Sequence, residues 1–521
     1  MFPRRTNAVL KHFVVNEERV RKEILDLNIN KSCGPDEIHP RLLYELVNEI
    51  VAPLTLLFQK TLNDGNIPSD WGKAYVTPIY KKGKKNIAEN YRPISLTSIP
   101  CKIMEKIVKE GIMHHLLNNS LLSSKQFAFL NGRSTVTQLL KFLDDCMEII
   151  VKGGVVDTIY MDFSKAFDKV PHQRLLHKLK AYGVNGPALN WIKAFLSNRE
   201  QIVTVNGEKS YQASVLSGVP QGSVLGPLLF LVYINDLPEH VSSLIYLFAD
   251  DTKIANKVAS AKDAEQIQDD LNSLSNWSST WFLEFNAKKC HVLTLGHIDN
   301  ITHTERYKIN DKELEHVFEE KDLGVIMDFQ LTFEEHIGQK VKTANTMMGL
   351  IRRSFSFLDP HLFRKLYVSF VRPHLEYAQA VWAPHLSKHV NMIENVQKRA
   401  TSMVDGLRDI EYNDRLQLIN IPTLSMRRAR GDMIEVWKHF HIYDRSTVAN
   451  AFRPRPRVTR RHKLQLFNNR SLDGVRGIQR NSFYHRTVDV WNQLPSYVAE
   501  SKTINNFKNN LDRYWSDNPP M

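Results

Sequence analysis

Apolar residues recur along this chain with two periods, one suited to helices and one to strands. Glu17–Leu27 is a charged amphipathic segment, Gly34-Pro35-Asp36 breaks it, and Pro40–Leu62 resumes helical spacing. Ala74–Tyr80 reads as a strand, Lys81–Asn90 as a basic glycine-containing loop, and Ile99–Asn118 as helix again. Val155–Phe163 is a short apolar run rich in β-branched residues, as a buried strand should be, with Asp162 near its end. Helices are expected over Pro171–Tyr182, stopped by Gly183, and over Leu189–Ser197 and Leu228–Leu237. Asp263–Phe282 is a further helix, with Leu271, Leu274 and Trp277 on one face. Gln201–Val205 and Ser210–Val215 flank Asn206-Gly207, a hairpin signal. Leu244–Phe248 and Thr252–Ala255 make two short strands around Ala249-Asp250-Asp251. From Phe333 to Phe440 the pattern is mostly helical, most clearly over Lys340–Arg353 and Leu362–Val371; Ser482–Trp515 closes with one or two helices.

A chain of 521 residues is too long for one core, so three or four domains or subdomains are expected. The net charge of +13 favours a polyanionic partner, because each neutralised phosphate releases counterions. Residues 452–480 concentrate that charge in eight arginines, at 453, 455, 457, 460, 461, 470, 476 and 480, opposed only by Asp473. Pro454 and Pro456 make the start of this stretch an extended linker. Cys33, Cys101, Cys146 and Cys290 lie far apart, which argues against a zinc knuckle and for a reducing compartment. The N-terminus lacks a signal-peptide core, and the longest apolar runs are too short to span a bilayer. An intracellular protein, in nucleus or cytoplasm and without a membrane partner, is expected.

Three acids stand where they disturb this pattern. Asp162 ends one apolar strand, and Asp250 and Asp251 occupy the bend between two others. Carboxylates beside apolar strands are costly unless paired or bound to cations, and adjacent acids repel. Hard oxygen donors with no Cys or His cluster nearby suit magnesium, with manganese as a substitute, rather than zinc.

Ordered blocks surround these acids: KSCGPDEIHPRLL, VTPIYKKGKKNIAENYRPISLTSIPCKIMEKIV, LLSSKQFAFLNGRSTVTQL, YMDFSKAFDKV, LSGVPQGSVLGPLLFLVYINDLP, LFADDTKI, WFLEFNAKKCHVL, LGVIMDFQLTFEEHI, LYVSFVRPHLEYAQAVWAP and VDVWNQLP. Read in order, they resemble the reverse transcriptases of non-LTR (LINE-type, jockey-like) retrotransposons, from about Lys31 to Pro384 and more weakly beyond. The resemblance implies an α+β right-hand polymerase of fingers, palm and thumb with a mostly helical C-terminal extension. Residues 1–63 would be an N-terminal helical extension and 64–330 the fingers and palm. Residues 331–450 would be thumb and helical connection, and 451–521 a basic linker and C-terminal helices.

The resemblance also implies roles. Asp162, Asp250 and Asp251 match the catalytic carboxylates that hold two Mg2+ ions, with Phe163 offering its backbone carbonyl to the same metals. Such ions activate a primer 3′-hydroxyl and stabilise the leaving pyrophosphate. Phe167 matches the gate that excludes a ribose 2′-hydroxyl and so selects dNTPs; Gln221 and Gly222 match the loop along the incoming nucleotide. Lys81 and Arg92 match basic residues facing the triphosphate, although Lys82, Lys84 and Lys85 crowd the same loop. Arg133 is expected either at the template or stabilising the fingers. Trp281, Phe285 and Lys288 fall near the primer grip, with ordinary packing the competing role for the two aromatics. The partners implied are an RNA template and a DNA primer.

Two departures stand out. Where the family pattern reads QFGFR, this chain has Gln126-Phe127-Ala128-Phe129-Leu130. A left-handed Ala128 would cost roughly 1 kcal/mol or more, and the lost Arg would weaken a template contact. No endonuclease, RNase H or zinc-knuckle block is evident, so the chain reads as a partial element or a piece of a longer frame. Target-primed insertion would then need a separate endonuclease. The alternative is a catalytically decayed or repurposed RNA/DNA-binding protein. A DNA-templated or telomerase-type polymerase fits the palm blocks but not the C-terminal ones.

Overall fold

The computed structural model describes residues 2–10, 13–296, 306–444, 448, 452–455, 461–467 and 478–519. Its strands in chain order are β1 (Lys73–Tyr80), β2 (Tyr91–Thr97), β3 (Val156–Met161), β4 (Arg199–Val205), β5 (Glu208–Lys209), β6 (Ala213–Val215), β7 (Leu244–Phe248), β8 (Asp251–Lys257), β9 (His291–Leu295), β10 (Lys308–Ile309), β11 (Lys312–Glu313), β12 (Glu315–Val317), β13 (Glu319–Asp322) and β14 (Val325–Asp328). They form two larger sheets and two small hairpins.

The first sheet runs β2-β1-β4-β5, with β6 also on β4. β1 and β2 are antiparallel, and the Lys81 N–H donates to the Asn90 carbonyl at 2.8 Å where their basic loop begins. Pro93 lies inside β2, which hides that strand from a periodicity reading. Proline is tolerated because β2 is an edge strand and needs no partner on its outer side. Asn206 and Gly207, at φ 51° and 89°, close the β4–β5 turn, both in the left-handed region a tight hairpin requires.

The second sheet runs β12-β9-β3-β8-β7 and is covered on both faces. Ile159, Met161, Ile245, Leu247, Ile254 and Val292 enter one core with the helices Ile99–Asn118, Gly226–Ile234 and Ala261–Trp281. Alternate residues, including Val156, Tyr246, Ala255, Leu293 and Leu295, enter a second core with the helix Thr135–Ile150 and the C-terminal helices. Double burial explains why these strands read as nearly continuous apolar runs.

The expected helix Ile99–Asn118 forms with those bounds. The expected Lys340–Arg353 helix spans Glu334–Ser354, and the stretch from Ser482 breaks into three short helices before Ile504–Asp517 rather than one or two helices in all. The Thr135–Ile150 helix, begun by a Ser134–Thr137 capping box, has no counterpart in the sequence reading. Nor does the basic linker stay open where it is described. The Arg455 N–H donates to Gln465 and the Phe467 N–H to Arg453, at 2.9 and 2.7 Å. Arg457, Arg460, Arg470 and Arg476 lie outside the described residues. Among the described residues no helix is long and apolar enough to cross a membrane.

Candidate active site

Three elements bring the acids together. Asp162 follows β3, whose last residue, Met161, pairs with Thr252 of β8. Asp250 occupies the two-residue turn between β7 and β8, and Asp251 opens β8 opposite Phe248. Ala249, ahead of Asp250, is left-handed at φ 55°.

The carboxylates feel one another. Burial raises Asp250, and the Asp162 charge raises it further, while Lys81 and Arg92 pull it back. Those cations stand at the β1–β2 end, where Arg92 pairs with Ile79, so the first sheet turns its basic loop toward the acids of the second. Asp251 is pushed up to about 6 by burial of its carboxylate, then by the like charges of Asp250, Asp322 and Asp162. A divalent cation is the partner that would relieve three converging acids, and oxygen donors suit magnesium. Among the described residues no three Asp, Glu, His or Cys side chains are gathered tightly enough to form a ready cage.

Asp162 is instead paired with Lys289, Nζ to Oδ2 at 2.9 Å. Lys288, expected near the primer grip, is an exposed residue beside it. The segment containing both lies against the Asp162 strand. The Asn286 N–H donates to the Asp162 carbonyl at 2.7 Å and the Ser164 N–H to Glu284 at 2.8 Å, while Phe163 and Phe285 stack with centroids 4.3 Å apart. Asp162, Asp251, Lys82, Lys253, Lys289, Glu320 and Asp322 line a cavity of about 270 Å³. Behind Asp251, Lys253 and Asp322 form a buried ion pair.

Phe167 stacks on Phe230 at 4.3 Å, and its carbonyl accepts from the Val219 N–H at 2.8 Å. That bond ties it to the loop bearing Gln221 and Gly222. The Gln221 carbonyl accepts from the Ser95 N–H of β2 at 2.7 Å, and its Nε2 donates to Asp168 at 3.0 Å. Gly222 has φ 110°, and a Cβ there would fall 2.6 Å from the Ser95 carbonyl, so close approach of β2 requires glycine. Glu105, absent from the sequence reading, accepts from the Val224 and Leu225 N–H groups at 2.7 and 2.9 Å and anchors the far end of this loop.

Two of the expected site residues are held by contacts within the chain. Arg133 does not face outward toward a template: its side chain is 8% exposed, and its guanidinium reaches the Ser123 and Gln126 carbonyls and Asp444. These contacts fit the stabilising role of the two anticipated. Trp281 is half-buried, edge-on to Phe2 and Tyr233 with the Lys178 ammonium 3.8 Å from its ring centre, contacts that fit the ordinary packing anticipated as its alternative role. The strain expected at Ala128 is also absent. Ala128 is buried with ordinary backbone, and the left-handed residue is Phe129, at φ 57°.

A family model described as reverse transcriptase (RNA-dependent DNA polymerase) matches residues 79–343, just over half of the chain. The chain is 29% identical over 476 residues to the RNA-directed DNA polymerase from mobile element jockey of Drosophila melanogaster, covering 86% of this chain and 51% of that protein. It is 29% identical over 449 residues to its counterpart in Drosophila funebris, covering 82% and 47%. It is 26% identical over 479 residues to the probable RNA-directed DNA polymerase from transposon X-element of Drosophila melanogaster, covering 88% and 51%. The chain spans about half the length of the curated relatives it matches.

Proposed function

We propose that this chain, which belongs to the reverse transcriptase (RNA-dependent DNA polymerase) family, is the polymerase of a non-LTR, jockey-like retrotransposon and extends a DNA primer on an RNA template. The observation that carries this is the meeting of Asp162, Asp250 and Asp251 under the cations Lys81 and Arg92. Acids on one side and phosphate-binding cations on the other are what nucleotidyl transfer needs.

In this reading the first sheet belongs to the fingers and the second to the palm, within residues 64–330. Residues 331–450 supply thumb and connection, 1–63 an N-terminal helical extension, and 451–521 the basic linker and C-terminal helices. Asp162 and Asp250, with Asp251 beside them and the Phe163 carbonyl in reach, would hold two Mg2+ ions, for which Mn2+ could substitute. Bound there, the ions would ease deprotonation of the primer 3′-hydroxyl and neutralise the leaving pyrophosphate. Lys81 and Arg92 bind the dNTP triphosphate, Arg through paired donors and Lys as a point charge. Phe167, fixed by its stack on Phe230, stands as the bulk against which a 2′-hydroxyl collides. Gln221 and Gly222 support the nucleotide and template base. Lys288, beside the Asp162 pair of Lys289, lies along the primer. Target-primed insertion would also need a nicked DNA end made by an endonuclease.

The test uses poly(rA)/oligo(dT), dTTP and Mg2+ or Mn2+. The parent is expected to incorporate dTTP, and an Asp250→Asn, Asp251→Asn double variant to fall to background while keeping RNA binding. Equal background incorporation by both, with RNA binding retained, refutes the reading in favour of an element-derived binding protein. In the same assay, Phe167→Val should lower discrimination against ribonucleotides at least about tenfold, or ~1.4 kcal/mol. Unchanged discrimination would remove Phe167 from the gate.

A further inference from the structure

The turn that carries Asp250 is held by a residue far from it in sequence. Gln126 is buried, and its Oε1 accepts from both the Ala128 and Ala249 N–H groups, each at 2.9 Å. Ala249 needs such a partner. It is a left-handed alanine, a conformation that costs roughly 1–2 kcal/mol without glycine. The Gln126 backbone is fixed as well. The Phe127 N–H donates to Leu247 at 2.8 Å and the Leu247 N–H to Lys125 at 2.9 Å, so residues 125–127 run as a short parallel edge beside β7.

Arg133 then ties this edge to the C-terminal helices. Its Nη1 donates to the Ser123 and Gln126 carbonyls at 2.9 and 2.5 Å. Its Nη2 and Nε donate to one Asp444 oxygen at 2.8 and 3.3 Å. The backbones meet at the same point: Gly132 has φ 73°, a Cβ there would sit 2.7 Å from the Ile442 carbonyl, and the Asp444 N–H donates to Gly132 at 3.3 Å. Asp444 lies just past the end of the helix Leu424–His441.

We propose that Asp444, Arg133 and Gln126 form a positioning relay that fixes the turn bearing Asp250, so that the C-terminal helices hold a reactive carboxylate in place from behind. The three residues touch no substrate; they act through Ala249. The relay deepens the polymerase reading and rests on it for its catalytic consequence. A misplacement of about 1 Å at a reacting group costs on the order of a hundredfold in rate, which is why such a brace matters.

Hydrogen exchange on the full-length chain tests the geometry separately from activity. Gln126→Met and Asp444→Ala should each speed exchange in the 244–252 hairpin at least tenfold, while residues 73–97 keep the parent rate. The double variant should exchange no faster there than Gln126→Met alone. Hairpin exchange unchanged in Asp444→Ala, or effects that multiply in the double variant, overturn the relay. Should Asp444→Ala loosen the whole chain, Arg133→Lys, which keeps the charge but loses the fork, must still loosen the hairpin selectively; uniform loosening also overturns it. In the poly(rA)/oligo(dT) assay, Arg133→Lys should lower kcat and raise the Mg2+ requirement with an unchanged KM for template–primer. An inactive parent with coupled exchange refutes the polymerase reading and leaves the relay; an active parent with an uncoupled hairpin does the reverse.

Discussion

Two groups of charge in this molecule are built in opposite ways. Around Lys178 everything is closed. Lys178 and Asp236 are fully buried, Nζ donates to the Tyr233 carbonyl at 2.6 Å and to the Asp236 carboxylate, and Trp277 donates to the other oxygen of that carboxylate at 2.9 Å. Around Asp162, Asp250 and Asp251 the acids crowd one another, and the cations that face them are exposed: Lys289 is 55% exposed, and Lys81 and Arg92 also face solvent. Charge buried for architecture is satisfied by the fold. Acids crowded at a cavity edge and faced by exposed cations are open to a partner from outside.

The contrast can be broken by measuring stability. Asp236→Ala strands an ammonium among Tyr233, Trp277 and Trp281 and should cost about 3–5 kcal/mol in urea unfolding. Asp250→Asn removes one of three repelling acids and should leave stability unchanged or slightly raised in metal-free buffer, although it ends incorporation. If the two lost stability equally, the acids would be architecture after all. A smaller effect sharpens the same line at Asp144, in the wall of an apolar cavity of about 380 Å³ with Leu140, Leu143 and Met147. Burial, then the neighbouring Asp145, pushes its carboxyl up to about 7, against the pull of Lys141. In the unfolded chain it titrates near 3.9. The folded state therefore holds this proton more tightly, and stability falls as pH climbs from about 4 to about 7. Asp144→Asn should be more stable than the parent at pH 8, by on the order of 1 kcal/mol given partial solvent access, and equal to it at pH 4. A gain that persists at pH 4 would assign the effect to packing rather than charge.

What could be read in advance followed from local pattern. Asp162, Asp250 and Asp251 interrupt apolar strands, so their placement at strand ends was visible before any fold. The Ile99–Asn118 helix was equally plain, bounded by Ser98 as cap and by Asn119. What could not be read depends on distance or on a single turn of backbone. Gln126 and Ala249 are 123 positions apart, and nothing local announces their bond. Lys288 and Lys289 are identical in type, and only the short helical turn Ala287–Lys289 decides which one reaches Asp162. Ala128 looked strained because the glycine it replaces could have been left-handed; the structure moves that conformation one residue on, to Phe129. Arg133 kept two roles open because its carboxylate partner, Asp444, lies 311 positions away in the chain.

The double burial of the second sheet has a practical consequence. The family model's match stops at Thr343, and a laboratory truncation there would look natural. It would keep every strand of the sheet and the helix Thr135–Ile150 yet strip the rest of the covering from the core of Tyr246, Leu293 and Leu295, which also contains Trp382, Trp437, Trp491 and Trp515. A chain trimmed to that match would display a partly bared apolar wall and clump in the test tube. The smallest well-behaved expression unit therefore extends well past that match and includes the last long helix.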